Sequence, residues 1–484
     1  MKSKRLVSGM LWRFGERICA QLVSFFVSVV LARILLPSEY GIIAMTTVFI
    51  TICNVFVTSG FGMALIQKKD VDDLDFSTIL VFGFIFSIVL YVLLFIFAPT
   101  IADFYQEPIL IPVLRIMSLK LPLAAINSVQ QAFVSRKMLF RKFFWATLVG
   151  TVTSGVVGIV MAYQGCGVWA LVGQYLINSL MDTIILGISI RWFPKIEFSA
   201  NRLKSMIGFG WRILVSDLIN TIYNELRSMI IGKRYTSEEL AYYNKGQQIP
   251  HLFITNVGVA ISGVLFPAMA MEQTDRGNLK QIVNKSISVG TYIIFPIMIG
   301  LAVVAKPIII LLLTEKWLLA VPFLQMACFS FAFEPWSTAN LQAIKATGEA
   351  GKYLKVEIVK KSIALVILFI SVPFGVHAIA ASACIYSFIA IILTATINDN
   401  NIGYGFFQQL KDILPNILCA LIMGGIVYLV GFLNLQTSVG LCIQIAVGIV
   451  AYFASSYIFR NNNLNYMYSL IYSLIKNKRS VENE

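Results

Sequence analysis

Arg13, Glu16, Arg17 and Gln21 stand inside a stretch otherwise built from residues such as Leu22, Phe25, Phe26, Val29 and Leu31. A charged side chain at the centre of a membrane-crossing helix costs about 2.5–3.5 kcal/mol, so one that is kept needs a partner or a function. Arginine's planar fork of donors matches the oxygens of a phosphate or carboxylate. At 100° per residue, Arg13, Arg17, Gln21, Ser24 and Ser28 share an arc of about 80°. That polar stripe must face protein or water. If the apolar run begins at Val7, Arg17 lies roughly 15 Å in, near mid-bilayer. Glu16 is spaced to pair with Arg13. A structural ion pair would account for those two, and it leaves one positive charge over.

Other residues extend this chemistry. Arg115, Lys120 and Arg212, also within apolar runs, add to an expected cationic cleft. The helix of Arg212 carries Asp217, Asn220, Asn224 and Glu225; Asp217 is expected to pair with an arginine, and Asn220 to meet a hydroxyl-rich ligand or a neighbouring helix. Asp182 and Glu334 are isolated carboxylates deep in apolar sequence, either structural or able to exchange a proton or sodium ion. Glu357 and Lys361 are spaced as an i, i+4 pair with Lys360 beside them. Lys245, in AYYNKGQQIP behind Tyr242 and Tyr243, is placed to line an exit together with Gln247 and Gln248.

Several chemistries are excluded. His251 and His377 have no partner at metal-ligand spacing, and the seven cysteines form no close pair, so neither a metal site nor a disulfide framework is expected. No phosphate-binding glycine loop follows a strand, so nucleotide hydrolysis is not expected and no cofactor is implied. The net charge of +14 is spread over loops and helix ends without a compact basic domain, which argues against nucleic acid.

The elements that must hold these residues are membrane helices. The chain is 58% hydrophobic and only 13% charged over 484 residues, against about one-quarter charged in an ordinary soluble domain. Apolar stretches long enough to cross about 30 Å of hydrocarbon fall near 10–36, 40–66, 76–98, 109–134, 143–163 and 168–190. A second six falls near 205–232, 241–267, 284–305, 318–343, 356–375 and 377–397, with two more near 413–432 and 437–459. The expected fold is all-α and polytopic, with about 14 transmembrane helices. The basic start MKSKRLVSGM is like a signal head, but Arg13, Glu16 and Arg17 interrupt any short apolar core, so the first helix is expected to stay. With the N-terminus inside, the outer loops hold only Arg33, Lys233, Arg234, Lys306 and Lys316 of the 38 basic residues, apart from those within spans. Both ends are therefore expected to be cytoplasmic.

The striped helix recurs. Arg212, Ser216, Asn220, Tyr223 and Arg227 repeat the positions of Arg13, Arg17, Gln21, Ser24 and Ser28, and Gly208, Trp211, Ser237 and Glu238 repeat Gly9, Trp12, Ser38 and Glu39. Six spans separate the copies, so both cross in one direction, as in transporters built from parallel repeats around a cleft. The expected division is an N-lobe over 1–200, a C-lobe over 201–400, two extra helices over 401–460 and a cytoplasmic tail over 461–484. That tail places Leu464, Met467, Ile471, Leu474 and Ile475 on one face and reads as an amphipathic surface helix.

LARILLPSEYGIIAM (Leu31 to Met45) resembles the entry signature of the multidrug, oligosaccharidyl-lipid and polysaccharide flippase superfamily. The resemblance is to its bacterial polysaccharide exporter branch for lipopolysaccharide, colanic acid and teichuronic acid repeat units. SGFGMALIQKKD (Ser59 to Asp70), LAYYNKGQQI (Leu240 to Ile249) and EKWLLAVPFLQM (Glu315 to Met326) support it. The resemblance implies a flippase of the bacterial cytoplasmic membrane that moves an undecaprenyl-pyrophosphate-linked oligosaccharide outward by alternating access. Arg13 and Arg17 would be in the cationic cavity for the pyrophosphate, and Lys245 stands where this branch commonly has a basic residue. The implied partners are the lipid-linked substrate, membrane lipids and other polysaccharide assembly proteins; the expected state is a monomer and the activity is not enzymatic. Coupling to a proton, a sodium ion or the membrane potential stays open, as do two other functions: a drug or cation antiporter on the same fold, and a membrane glycosyl polymerase or ligase. The polymerase needs acid–base groups on a substantial outer loop, and no such loop is visible.

Overall fold

The computed structural model describes residues 2–469 except 60, 69, 192–196, 273–274, 348–349 and 434; of residues 2–14, 16–17, 61, 63, 209, 256–268 and 350 it describes the helical backbone alone. The described chain is helical without strands. In order the helices are α1 (Lys2–Ile34), α2 (Pro37–Thr58), α3 (Phe61–Gln67), α4 (Asp73–Tyr105), α5 (Leu110–Met117), α6 (Lys120–Lys137), α7 (Phe140–Tyr163), α8 (Val168–Ile190) and α9 (Ala200–Arg234). There follow α10 (Ser237–Met271), α11 (Arg276–Val303), α12 (Ala305–Leu313), α13 (Val321–Ala332), α14 (Glu334–Ala346), α15 (Ala350–Ser371), α16 (Val376–Ile402), α17 (Phe406–Val430) and α18 (Thr437–Ile458). With no water in hydrocarbon to satisfy backbone groups, helices that bond internally are what an apolar chain of this kind can form.

Each of the fourteen expected spans coincides with a helix or with two consecutive helices, and the protein is an all-α polytopic membrane protein. Among the described residues, ten segments are long and apolar enough to cross on those grounds alone. In α1 the described apolar stretch is the shorter Ile18–Ile34, and α9 and α15 carry charges such as Arg212, Asp217, Glu357 and Lys360, as the start of α10 carries Lys245. Their polar sides need protein or water beside them.

The repeat reappears in element order. The fourth span of each copy is broken in the middle, between α5 and α6 at Ser118–Leu119 and between α13 and α14 at Phe333. The second helix of each copy starts on the same device, a glutamate three residues in that reaches back over the first turn. Glu39 Oε2 accepts from the Leu36 N–H at 2.7 Å, and Glu239 Oε2 accepts from the Thr236 N–H at 3.1 Å while Thr236 Oγ1 accepts from Glu239 N at 3.2 Å.

Two compact units emerge from packing, 1–241 and 242–484. In the first, α7 lies along α8 and α1 along α7, while α2 touches α6, α8 and α9. The first helix of the second repeat, α9, thus packs within the first unit; its Met206 joins a core of Leu65, Phe76, Ile79 and Val129. Gly41, at the start of the second turn of α2, lies against the backbone of Ser237, so any Cβ there would collide with the Ser237 carbonyl.

In the second unit α11 packs on α13, α14 and α17, and α17 on α18. Gln409 of α17 accepts from Trp336 Nε1 at 2.5 Å and from Asn340 Nδ2 at 2.9 Å, and donates to the Tyr404 carbonyl at 2.7 Å. Asn398 Nδ2 donates to Asn340 Oδ1 at 2.8 Å. Asn416 donates to the Ser288 carbonyl at 2.9 Å and accepts from Asn461 at 2.8 Å, so the last two helices are pinned into this unit through buried polar groups. The tail is helical over 462–469, with Lys285 Nζ 5.2 Å from the Tyr466 ring. Ile471, Leu474 and Ile475, expected on its apolar face, lie outside the described residues.

Candidate functional site

A polar cavity of about 410 Å³ opens within the first unit between α2, α3, α6 and α8. Carboxamides of Asn54, Asn127, Gln131 and Asn178 line it with the hydroxyls of Thr58 and Ser128, and Lys120 and Asp182 are its charged residues. The break before α6 makes Lys120 the first residue of that helix, 5.5 Å from the Tyr175 ring of α8 and in electrostatic reach of Asp182. Asp182 fits because α7 presents Gly150 to it; a Cβ at Gly150 would overlap the Asp182 carboxylate. Gln131 donates to Asn127 Oδ1 at 2.5 Å, and Asn178 donates to Ser154 Oγ at 3.4 Å. The cavity joins Lys120 and Asp182, which came from separate expectations, one as a substrate cation and one as a coupling carboxylate.

The other expected residues are distributed elsewhere. The side chains of Arg13, Glu16 and Arg17 lie outside the described residues. Arg115 is on the span of Lys120 but not in the cavity: its Nε donates to the Phe95 carbonyl at 3.2 Å and its guanidinium lies 4.2 Å above the Phe95 ring, so it is fastened to α4. Arg212 and Asn220 are exposed on α9, and Asp217 is half-buried. Among the described residues Asp217 forms no ion pair. Lys245, expected along an exit, is only 7% exposed. It donates to Gln248 Oε1 at 3.1 Å and sits 5.9 Å from the buried ring of Trp317, with Tyr242 against the same ring. Two of the segments that carried the family resemblance, Leu240 to Ile249 and Glu315 to Met326, are therefore packed on each other. Glu334 is exposed, accepts from Thr338 Oγ1 at 3.4 Å, and has Lys360, Glu357 and His251 in electrostatic reach. Glu357 pairs at 3.1 Å with Lys360, which is buried in the unit.

One further cluster lies outside the residues expected to carry function. Asp75, wholly buried in the first turn of α4, accepts from Lys68 Nζ with both oxygens at 2.7 Å and from Arg202 of α9 at 3.0 Å. Arg202 also reaches Asp72 at 2.9 Å, and Asp72 caps α4 by accepting from the Asp75 N–H at 3.0 Å. Arg136, at the end of α6, donates to the terminal carbonyls of α3 at Leu65, Ile66 and Lys68. The available signal was the Asp-x-x-Asp cap spacing of Asp72 and Asp75.

The second unit contains an apolar counterpart, a groove of about 520 Å³ between α11, α12, α17 and α18, lined by residues such as Ile297, Leu301, Val427 and Ile449.

Over residues 30–322 the sequence matches the family described as polysaccharide biosynthesis protein. The chain belongs to that family. Among individual relatives it is 23% identical, over 93% of its own length and 95% of theirs, to the teichuronic acid biosynthesis protein TuaB of Bacillus subtilis. It is 26% identical to the succinoglycan biosynthesis transport protein ExoT of Rhizobium meliloti over 67% of its length and 66% of that protein. In fold it resembles the lipid II flippase MurJ in an inward closed conformation, with a TM-score of 0.77 at 15% identity over 94% of this chain and 100% of that one. A multidrug resistance MATE family transporter of the MOP superfamily, facing inward, gives 0.61 at 15% identity over 79% and 95%. The family expectation drawn from Leu31 to Met45 and its companion segments is borne out, and the fold is shared with these two solved structures.

Proposed function

We propose that this polysaccharide biosynthesis protein moves an undecaprenyl-pyrophosphate-linked oligosaccharide repeat unit from the inner to the outer leaflet of the bacterial cytoplasmic membrane. The observation that carries the reading is a cavity lined by hydroxyls, carboxamides and an opposed Lys120–Asp182 pair among membrane-crossing helices of the first unit. A sugar-bearing headgroup needs such a polar path, whereas its polyprenyl tail can remain in the bilayer. The membership in a polysaccharide family and the relatives named for teichuronic acid and succinoglycan production support a glycan cargo.

In this reading the lobes 1–200 and 201–400 alternate access around a shared path, with both termini cytoplasmic, and the protein works as a monomer and transports without catalysing a covalent step. Arg13, Arg17 and Arg212 supply charge-assisted donors to the pyrophosphate, which lipid cannot. Lys120 and Asn220 meet the rest of the headgroup, while Arg115 and Lys245 set the local potential from the fixed positions they hold on Phe95 and Trp317. The test is reconstitution in vesicles with lipid-linked repeat units extracted from the host. Outward appearance of the sugar, measured under imposed proton, sodium and voltage gradients, is the expected result and identifies the driving force. Export of a cationic drug with no movement of the lipid-linked sugar would transfer the protein to the antiporter class, and elongation of the glycan would make it a polymerase.

A further inference from the structure

We infer that the cavity between α2, α6 and α8 is a subsite for an uncharged sugar ring of the cargo, an inference that rests on the flippase reading and assigns the part of the headgroup this site selects. The cavity, at about 410 Å³, falls within the range of small-molecule sites, about 300–1,000 Å³. Its chemistry separates ligand classes. Lys120 is its one cation and Asp182 its one anion among the lining residues. A phosphate or a carboxylated sugar would meet Asp182, and a metal or drug cation would meet Lys120. Among the described residues no cluster of three metal-ligating side chains exists.

A sugar hydroxyl both donates and accepts, and the walls offer both. Each carboxamide has an acceptor oxygen and two N–H donors. Gln131 spends one N–H on Asn127 Oδ1, which leaves the Gln131 oxygen and the Asn127 amide protons for a ligand. The Thr58 hydroxyl gives its proton to the Asn54 carbonyl at 2.9 Å and keeps its lone pairs as acceptors. Asp182 accepts and Lys120 donates, so a ring can be held from two sides without a net charge on it. Ile66 adds an apolar patch suited to the C–H face of a pyranose.

Full-length protein in vesicles would be assayed for outward movement of host lipid-linked repeat unit across a concentration series, for the parent and for the double variant Asn127→Leu/Gln131→Leu. The same proteins in detergent would be titrated with undecaprenyl pyrophosphate bearing no sugar. Loss of about two neutral hydrogen bonds should raise the KM of the double variant about tenfold, with binding of the sugarless lipid unchanged and therefore the fold intact. An unchanged KM overturns the subsite, and so does an equal loss of affinity for both lipids. A variant that keeps its KM but loses dependence on a sodium or proton gradient also overturns it, in favour of an ion site. If the parent moves no lipid-linked sugar, the flippase reading itself fails and takes the subsite with it. Gln131→Glu, which keeps an acceptor oxygen, should show a smaller rise in KM than Gln131→Leu, and an equal rise would remove the acceptor role of Gln131 from the subsite.

Discussion

Asp75→Asn should loosen the attachment of α9 to the turn between α3 and α4. Asp75 is fully buried and takes three bonds from two cations, from Lys68 at 2.7 Å to each oxygen and from Arg202 at 3.0 Å. Breaking a buried pair by removing one partner costs about 3–5 kcal/mol. Here the cations left behind are 30% and 34% exposed and regain water, which discounts that figure. Asparagine also keeps one acceptor oxygen. The expected loss is about 3 kcal/mol, which for a unit of this size lowers the melting temperature by about 6–12 °C. The assay is tryptophan-fluorescence melting of purified protein in one detergent at one scan rate, since membrane proteins commonly unfold irreversibly. Arg202→Ala removes its bonds to Asp75 and Asp72 but leaves those from Lys68, so it should fall less than Asp75→Asn, and the double variant should fall short of the sum because the Arg202–Asp75 bond is common to both. The half-exposed Arg202–Asp72 contact should weaken with added salt while the Asp75 contacts persist. If Asp75→Asn melts within about 1 °C of the parent, the clamp is not holding α9 and the argument is wrong.

Gly41→Val should cost about 1–3 kcal/mol by driving a side chain into the Ser237 backbone, with Gly41→Ala milder, as read from melting temperature and membrane yield. Gln409→Leu should destabilise the second unit by about 1–3 kcal/mol, because it strands the buried Trp336 N–H and Asn340 amide; a melt equal to the parent would show that water replaces the bonds. Arg17→Ala should lower transport about ten- to hundredfold at normal membrane levels, since a charged hydrogen bond contributes about 1.5–3 kcal/mol. Arg17→Lys should lie between, having charge without the fork, and Arg33→Ala should matter far less. Parental transport by Arg17→Ala would falsify the role proposed for the helix 1 arginines.

What the amino-acid order determined by itself is the set of spans, the family and the repeat. Hydropathy is a local property: a run such as Phe76 to Phe97 must be helical in lipid whatever packs on it, because its backbone has no other partner there. The repeat was legible for a similar reason, since Arg212 and Trp211 stand in the chain where Arg13 and Trp12 predict them. Where a span would break was not legible. Pro122 and Pro335 stand just after the two breaks, but Pro99, Pro296 and Pro415 lie inside unbroken helices, so proline alone did not mark them; the break at Ser118–Leu119 makes Lys120 a helix start beside Tyr175 and Asp182. Nor could sequence tell which charges meet. Lys68, Asp75 and Arg202 converge across three segments, Arg115 turns to Phe95 and away from the cavity of Lys120, and Lys245 goes under Trp317. Helical periodicity gives the face of a side chain on its own helix, but its partner depends on the rotation and neighbours of that helix. Those are settled by packing, at contacts such as Gly41 on Ser237 and Gly150 on Asp182, where a missing Cβ decides how near two segments come.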